Sequence, residues 1–533
     1  MFNLKKTTVA VASVIAVFPL IGFAAQGLSS SADAYVQPVA NGVEFTSILT
    51  AADLVNGYRM TGLPDGLGAY ANDANTFTVL MNHEIPNTSG TIRAHGAIGS
   101  FVSEWVIDKN TLEVISGGDL IKQVFAWNAT TQTSSTAAST VAFSRFCSAD
   151  LPAESAFYDS KSRLGTKARI FMNGEEGGAT GYAVAHVASG KNKGNSYVLG
   201  KFNLATNGSG GTAVGGWENL LANPKSGKQT VVIGTNDGGT GIMNNSVAVY
   251  IGSKTNAGSE ADKAGLTNGT LKFINVAGLA NDANSPAVTT EELANTTTRA
   301  SAIVSGTAFT LSDTTATTFS RPEDGAWSAD GKAFYFVTTD RLDNTDLAKI
   351  DPLTLAIVPQ TQIGGTRLWR LNFNATFDGG TIDLLIDTAT MAGGIGNTKP
   401  NMWDNLSVNK DGTLTLLEDV GNAEHNGKIW QYKPSKNKLE MLGKFDAALF
   451  GDIDPLTGLF TAGAYTKDEE TSGVIDITGI MDRSDDLQYS LMVVQNHASA
   501  ASLQTLGAMD PLANPVEIYE GGQLVLMSRT PRR

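Results

Sequence analysis

The chain has one cysteine and five histidines in 533 residues. With Cys147 alone, no intramolecular disulfide can form, so core packing must hold the fold, with or without a bound metal. His83, His95, His186, His425 and His497 are scattered, and nothing in their spacing supports a zinc site built on three imidazoles. H-E-x-x-H, paired C-x-x-C and a Walker loop ending in Gly-Lys-Ser/Thr are missing, as is the G-x-S-x-G elbow of an ordinary serine esterase. Gly174-Glu175-Glu176-Gly177-Gly178 is rich in glycine but lacks a following lysine. Charged residues are sparse at 17%, with a net charge of −14. That balance argues against nucleic acid as a partner, because such binding rests on basic patches.

Apolar residues reach 42% and glycines number 57, which suits a sizeable core of short strands joined by tight turns. The amino terminus has the order of a secretory signal: Lys5 and Lys6, an apolar run from Thr7 to Ala25, and small residues at Gly22, Ala24 and Ala25. Cleavage is expected after residue 25, or as late as 34, where Ala32-Asp33-Ala34 forms a second small-residue pattern. The run is also long enough to stay as an uncleaved anchor. The expectation is a periplasmic or secreted protein exported by a Sec-type signal.

Six β-branched or aromatic runs each finish in an acid, amide or imidazole. They lead into Asn82-His83-Glu84, Asn173-Gly174-Glu175-Glu176, Asn236-Asp237, Asp340, Glu418-Asp419 and Gln495-Asn496-His497. Any one strand ends in polar residues as a matter of course. Six together predict an all-β propeller of about six blades, in which equivalent strand ends meet at one channel mouth. Residues 35–533 are expected to form one such domain. Loop stretches are expected at 129–140 and as an insertion at about 253–318.

A weak internal repeat agrees. Glu323-Asp324-Gly325-Ala326-Trp327 leads to Asp330-Gly331 and a strand ending at Asp340, while Asp404-Asn405-Leu406 leads to Asp411-Gly412 and a strand ending at Glu418-Asp419. Asp-Gly between apolar runs signals a hairpin, which returns the chain to the edge where it began. The outer acids of each unit therefore share one edge.

Carboxylates suit hard cations such as calcium and ferric iron, whereas a thiolate suits iron or softer metals. A lone cysteine is usually a small buried hydrophobe. Cys147, however, stands in Arg145-Phe146-Cys147-Ser148-Ala149-Asp150. Taken with Glu84, Glu175, Glu176, Glu218, Glu323 and Asp404, it would make a mixed site.

Asn82-His83-Glu84, Phe146-Cys147, Asn173-Gly174-Glu175-Glu176, Arg321-Pro322-Glu323-Asp324-Gly325 and Asp404-Asn405-Leu406 resemble, in order and rough spacing, the motifs of PhoX-type alkaline phosphatases. The resemblance spans about residues 40 to 500, and Arg-Pro-Glu-Asp-Gly is its most specific part. It implies a propeller with about three calcium and two ferric ions at the channel mouth, hydrolysing phosphomonoesters. It further implies metal ligands at Glu84, Cys147, Glu218, Glu323, Asp404 and one of Glu175 or Glu176, with Arg321 binding phosphate. The sequence departs from the family in its Lys5-Lys6 signal, where family members carry a twin arginine. The segments around Glu218 and after Asp404 also match loosely.

The residues themselves allow the same chemistry. A cation cluster neutralises a phosphate dianion, and a guanidinium holds two phosphoryl oxygens while staying charged at alkaline pH. An ordinary surface ion pair between Arg321 and Glu323 is the bland alternative. Two other functions compete: a calcium-dependent phosphotriesterase or lactonase propeller, and a non-enzymatic calcium-stabilised binding propeller. The expected partners are small-molecule phosphate esters, with neither nucleic acid nor a stable membrane partner, and the chain is expected to be a monomer.

Overall fold

Adjacent residues of the apolar runs are buried on opposite sides. Val79 packs among Leu491 and Leu524, while Leu80 packs among Phe171 and Val184. Met172 joins Trp217 and Val232, Ile233 joins Phe336 and Trp369, and Val337 joins Leu416 and Trp430. Leu417 meets Met492 and Val525. Strand side chains alternate, so a sheet covered on both faces needs an unbroken apolar run. That is why these stretches read as continuous rather than alternating.

The structure is a computed structural model that describes residues 24–177, 180–203, 216–237, 245–281, 301–340, 346–360, 365–391 and 399–530. Six four-stranded antiparallel units follow one another around a ring. The first blade holds Pro64–Ala71, Thr76–His83, Phe101–Asp108 and Val114–Asp119. The second starts at Phe146–Asp150, the third at Asn219–Ala222, the fourth at Pro322–Trp327, the fifth at Trp403–Val408 and the sixth at Glu469–Asp476. These first strands are the innermost, and each contacts the next, with the sixth meeting the first. The six apolar clusters named above are the seams between neighbouring blades. The chain is a six-bladed β-propeller.

Closure joins the two ends of the chain. Val43–Thr50 forms the outer strand of the sixth blade, pairing antiparallel with Glu520–Arg529 from Val43↔Arg529 to Thr50↔Gln523. Val36–Pro38 similarly edges the fifth blade against Lys438–Phe445. Ala24–Gln26 pairs parallel with Val43–Thr50, and Ala34, Tyr35 and Val36 are buried. Residues 1–23, which carry most of the expected export signal, lie outside the described residues. No helix among the described residues is long and apolar enough to cross a membrane.

Two expected loop stretches carry strands. Trp127–Asn128 pairs with Thr133–Ser134 inside the 129–140 region. The 253–318 stretch is not a simple insertion: Thr270–Val276 is the outer strand of the third blade. Thr307–Ser312 then bonds to both that strand and Gly379–Asp387, fusing the third and fourth blades into one nine-stranded sheet. Leu271, Phe273, Ile274 and Val276 of the first of these strands are buried, and the Thr-, Ala-, Asn- and Gly-rich residues around both strands mask that short apolar run in the sequence.

Candidate metal centre

Each inner strand starts at one end of the channel and each second strand returns there. The pairs Pro64↔His83, Phe146↔Glu175, Asn219↔Thr235, Pro322↔Thr338, Trp403↔Glu418 and Glu469↔Asn496 therefore all lie at the same mouth. In four blades the register breaks just inside this point, between Pro64/Leu67, Phe146/Ala149, Pro322/Gly325 and Trp403/Leu406. Bulges re-aim side chains. Here they turn Asp65, Cys147, Glu323 and Asp404 into the cavity, and Glu218 and Glu470 complete the inner ring from the other two blades.

A second ring comes from the ends of the second strands. Glu84, Glu176, Asp237 and Asp419 follow those strands by one or two residues and line the same cavity. The two remaining blades differ. Asp340 accepts a hydrogen bond from Ser320 Oγ at 3.2 Å, and His497 Nδ1 lies 2.9 Å from Glu520 Oε2. The cavity measures about 60 Å³, and among the described residues its wall is formed by nine acids, Cys147, Arg145 and Arg321. A water-sized sphere takes roughly 10–15 Å³ by this measure, so several ions fit side by side.

Three groups of ligand atoms each lie within 4.8 Å of one another: Asp65, Glu84 and Cys147; Cys147, Glu176 and Glu218; Glu218, Glu323 and Asp404. Cys147 and Glu218 are shared between neighbouring groups, so the three form one continuous track. Below it, Ser148 Oγ donates to Glu218 Oε1 at 2.6 Å and contacts Asn405 Oδ1 at 3.1 Å, while Gly473 N donates to Asn405 Oδ1 at 2.8 Å. These bonds cross the channel and floor the site. A polar chain fixes the thiol: His186 Nε2 lies 2.9 Å from Asn173 Oδ1, Asn173 Nδ2 donates to Asn82 Oδ1, and Asn82 Nδ2 donates to the Cys147 carbonyl at 2.6 Å.

Of the residues expected from sequence, Glu84, Cys147, Glu176, Glu218, Glu323, Asp404 and Arg321 come together. Glu175 does not. Its carboxylate accepts from Ser144 N at 2.8 Å and Tyr182 N at 2.9 Å, on the opposite face of the strand from Glu176. Asp324 also turns away, bracing three blades by accepting from Asn219 Nδ2, Gly325 N and Leu406 N. Sequence reasoning passed over Asp65 and Glu470 and assigned no role to Arg145, Asp237 or Asp419. A usable signal existed for Asp65, because Pro64-Asp65-Gly66 echoes Pro322-Glu323-Asp324-Gly325.

Charge at this mouth is far from balanced among the described residues. Arg145 Nη2 lies 2.7 Å from Glu84 Oε1 and also pairs with Glu176. Arg321 takes Asp237 through Nε at 3.1 Å and Glu323 through Nη2 at 3.1 Å, and donates Nη1 to the Asp340 carbonyl. Among the described residues, Asp65, Glu218, Asp404, Asp419 and Glu470 form no salt bridge. Burial first, then neighbouring acids, pushes Asp65, Glu218, Glu323 and Glu470 well above the ordinary carboxyl range. Asp404 is raised by burial and Asp419, Glu176 is pushed up to about 7, and the Cys147 thiol is raised by burial and Glu84. Buried Asp65 Oδ1 accepts no hydrogen bond. Such a site either keeps its protons or takes cations.

Fold and site together define a six-bladed propeller with an acidic, thiol-bearing channel mouth. No protein-family model matches the chain, and no curated protein does. Among solved structures it is similar to a provisionally named 6-phosphogluconolactonase from Bacteroides uniformis, at 10% identity over 79% of this chain and 92% of that one, with a TM-score of 0.30. An ulvan lyase of polysaccharide lyase family PL25 is 12% identical over 86% and 84%, with a TM-score of 0.28. The WD40 domain of SCAP from fission yeast is 8% identical over 91% and 98%, with a TM-score of 0.26. At such scores these likenesses carry no argument about activity.

Proposed function

We propose that the chain is an exported, metal-dependent phosphatase that hydrolyses phosphomonoesters, a divergent relative of the PhoX-type alkaline phosphatases. One observation carries the reading. Six acid or thiol side chains expected as ligands, from five blades, share one small cavity with the arginine expected to bind phosphate.

The donor set fits calcium and ferric ions: nine carboxyls offer hard oxygen, and one thiol, shared by two of the three ligand groups, offers sulfur to an iron. Glu84, Cys147, Glu176, Glu218, Glu323 and Asp404 would hold the ions, with Asp65 as a further ligand. When bound, such cations neutralise the phosphoryl group and activate the attacking water. Arg321 binds and orients the phosphoryl group with its planar fork, and Asp237 and Glu323 keep it charged at any working pH despite its burial. Ser148 and Asn405 hold the floor beneath the acids through their bonds to Glu218 and Gly473.

The test is elemental analysis of the purified protein together with p-nitrophenyl phosphate turnover, before and after chelation. Calcium and iron in the protein, with turnover lost on chelation and in Arg321→Ala, support the proposal. Metal-loaded protein without phosphomonoesterase activity overturns it. A calcium-only protein that cleaves neutral esters or lactones and tolerates Arg321→Ala would favour the lactonase-type alternative.

A further inference from the structure

One strained backbone position recurs in five of the six blades, and it singles out a second arginine. Leu63, Arg145, Gly216, Arg321 and Met402 have φ of +44°, +49°, +69°, +52° and +46°. Each stands two residues before its blade's channel residue: Asp65, Cys147, Glu218, Glu323 or Asp404. A left-handed backbone is unfavourable for a residue with a Cβ, and such outliers cluster where a site needs them. The repeat makes Arg145 and Arg321 structurally equivalent, although Arg-Phe-Cys and Arg-Pro-Glu do not look alike.

Their contacts are equivalent too. Arg145 reaches Glu84, which ends the second strand of the preceding blade, and Arg321 reaches Asp237, which does the same one blade before it. Each also pairs with an acid of its own blade, Glu176 or Glu323. Between the two arginines, the third blade places Gly216, which has no side chain. The arginine side chains differ in depth, with 47% of Arg145 exposed against 13% of Arg321. They are the only cations in the cavity wall among the described residues.

We propose that Arg145 is a second phosphate-binding residue, the outer jaw of a two-guanidinium clamp whose inner jaw is Arg321. The proposal rests on the phosphatase reading of this site. A phosphomonoester dianion presents three non-bridging oxygens and two charges, more than one guanidinium fork satisfies. A phosphodiester monoanion presents two oxygens and one charge, which a single fork covers. Glu84, Glu176 and Glu323 each belong to a candidate ion-binding group. Ions seated there compete with the arginines for those carboxylates and free both guanidiniums for substrate.

The experiment uses the metal-loaded full chain and its Arg145→Ala and Arg145→Lys variants. It reads KM for p-nitrophenyl phosphate, Ki for inorganic phosphate and Ki for a dialkyl phosphate, alongside metal content and melting temperature. Arg145→Ala is expected to raise KM and the phosphate Ki by about tenfold or more, the worth of one charge-assisted bond pair, with the dialkyl phosphate Ki shifted far less. Arg145→Lys restores only part, because an ammonium lacks the fork. A phosphate Ki within twofold of wild type, at intact metal content, overturns the clamp. So does loss of metal in both variants, which would make Arg145 a structural partner of Glu84 and Glu176. If wild-type protein with its metals neither turns over the ester nor binds phosphate, the phosphatase reading fails instead, and the clamp with it.

Discussion

Stripping cations from the channel mouth should make this protein lose stability as pH rises, and restoring them should reverse the trend. Nine carboxyls and a thiol share the cavity with two guanidiniums. Burial moves Glu176 from 4.5 to about 7. A carboxyl with a higher pKa in the fold binds more protons there than in the unfolded chain. Its stabilising effect is complete below about pH 4.5 and is lost as pH rises through the folded value. At about 1.36 kcal/mol per unit, Glu176 alone accounts for about 3 kcal/mol. Asp65, Glu218, Glu323, Asp404 and Glu470 shift in the same direction. A cation such as calcium that binds ionised carboxylates competes with protons, so the stabilisation it would give grows over the same range.

Urea unfolding followed by tryptophan fluorescence, at pH 5 and pH 8.5, with chelator or with millimolar calcium, measures the effect. Histidines also titrate: Glu520 raises His497 to about 9 against the effect of burial, and burial lowers His83 and His186 to about 3. The contributions of His83 and His186 are common to both preparations and cancel in the difference, whereas His497 is raised in part by Glu84, and its contribution is removed by making the comparison in a His497→Gln background. The calcium-minus-chelator gap should widen by about 3 kcal/mol or more between the two pH values. A gap that stays constant, or is absent at both, refutes the argument that the cluster is built for cations.

Asp324→Ala should cost about 2–5 kcal/mol by leaving the buried donors Asn219 Nδ2 and Leu406 N unpaired, with the metal content unchanged; chemical denaturation reads the cost, and a loss under about 1 kcal/mol would contradict the bracing role. Glu175→Gln should destabilise by about 1–3 kcal/mol, since one of its two backbone donors loses an acceptor, and should leave the metal stoichiometry intact. Glu176→Gln should do the opposite, lowering metal content while stabilising the chelated protein at pH 8.5; elemental analysis and melting curves separate the pair. Cys147→Ser should abolish the visible absorption band expected of an iron–thiolate centre. Persistence of that band in the serine variant would rule out the thiol as a ligand.

Much of the site was readable along the chain because propeller geometry is local. A strand that buries both faces must be apolar throughout, and a hairpin must return its acids to one edge, so Glu84, Glu176, Asp237 and Asp419 were visible as endings. Asp65 and Glu470 were harder to see, since nothing near them in the chain shows that they close a ring with residues hundreds of positions away. The 253–318 stretch read as an insertion because its two strands, Thr270–Val276 and Thr307–Ser312, are short runs set among residues rich in Thr, Ala, Asn and Gly.

The sequence by itself determined that polar doublets sit where strands meet a turn: Glu175-Glu176, Glu323-Asp324, Asp404-Asn405 and Glu418-Asp419. Period-two alternation turns the two members of a doublet opposite ways where the register is regular, whereas bulges interrupt it at Glu323-Asp324 and at Asp404-Asn405, where Asn405 Nδ2 donates to Asp404 Oδ1 at 2.6 Å. Only the tertiary structure decided which member enters the channel. Glu176, Glu323, Asp404, Asp419 and Glu470 face the cavity. Their neighbours are held elsewhere: Glu175 on backbone donors, Asp324 and Asn405 between blades, Glu418 beside Lys428 and Trp430, and Glu469 on Gly427. The choice depends on bulges and inter-blade bonds whose partners lie in other blades, so no stretch of local sequence contains it.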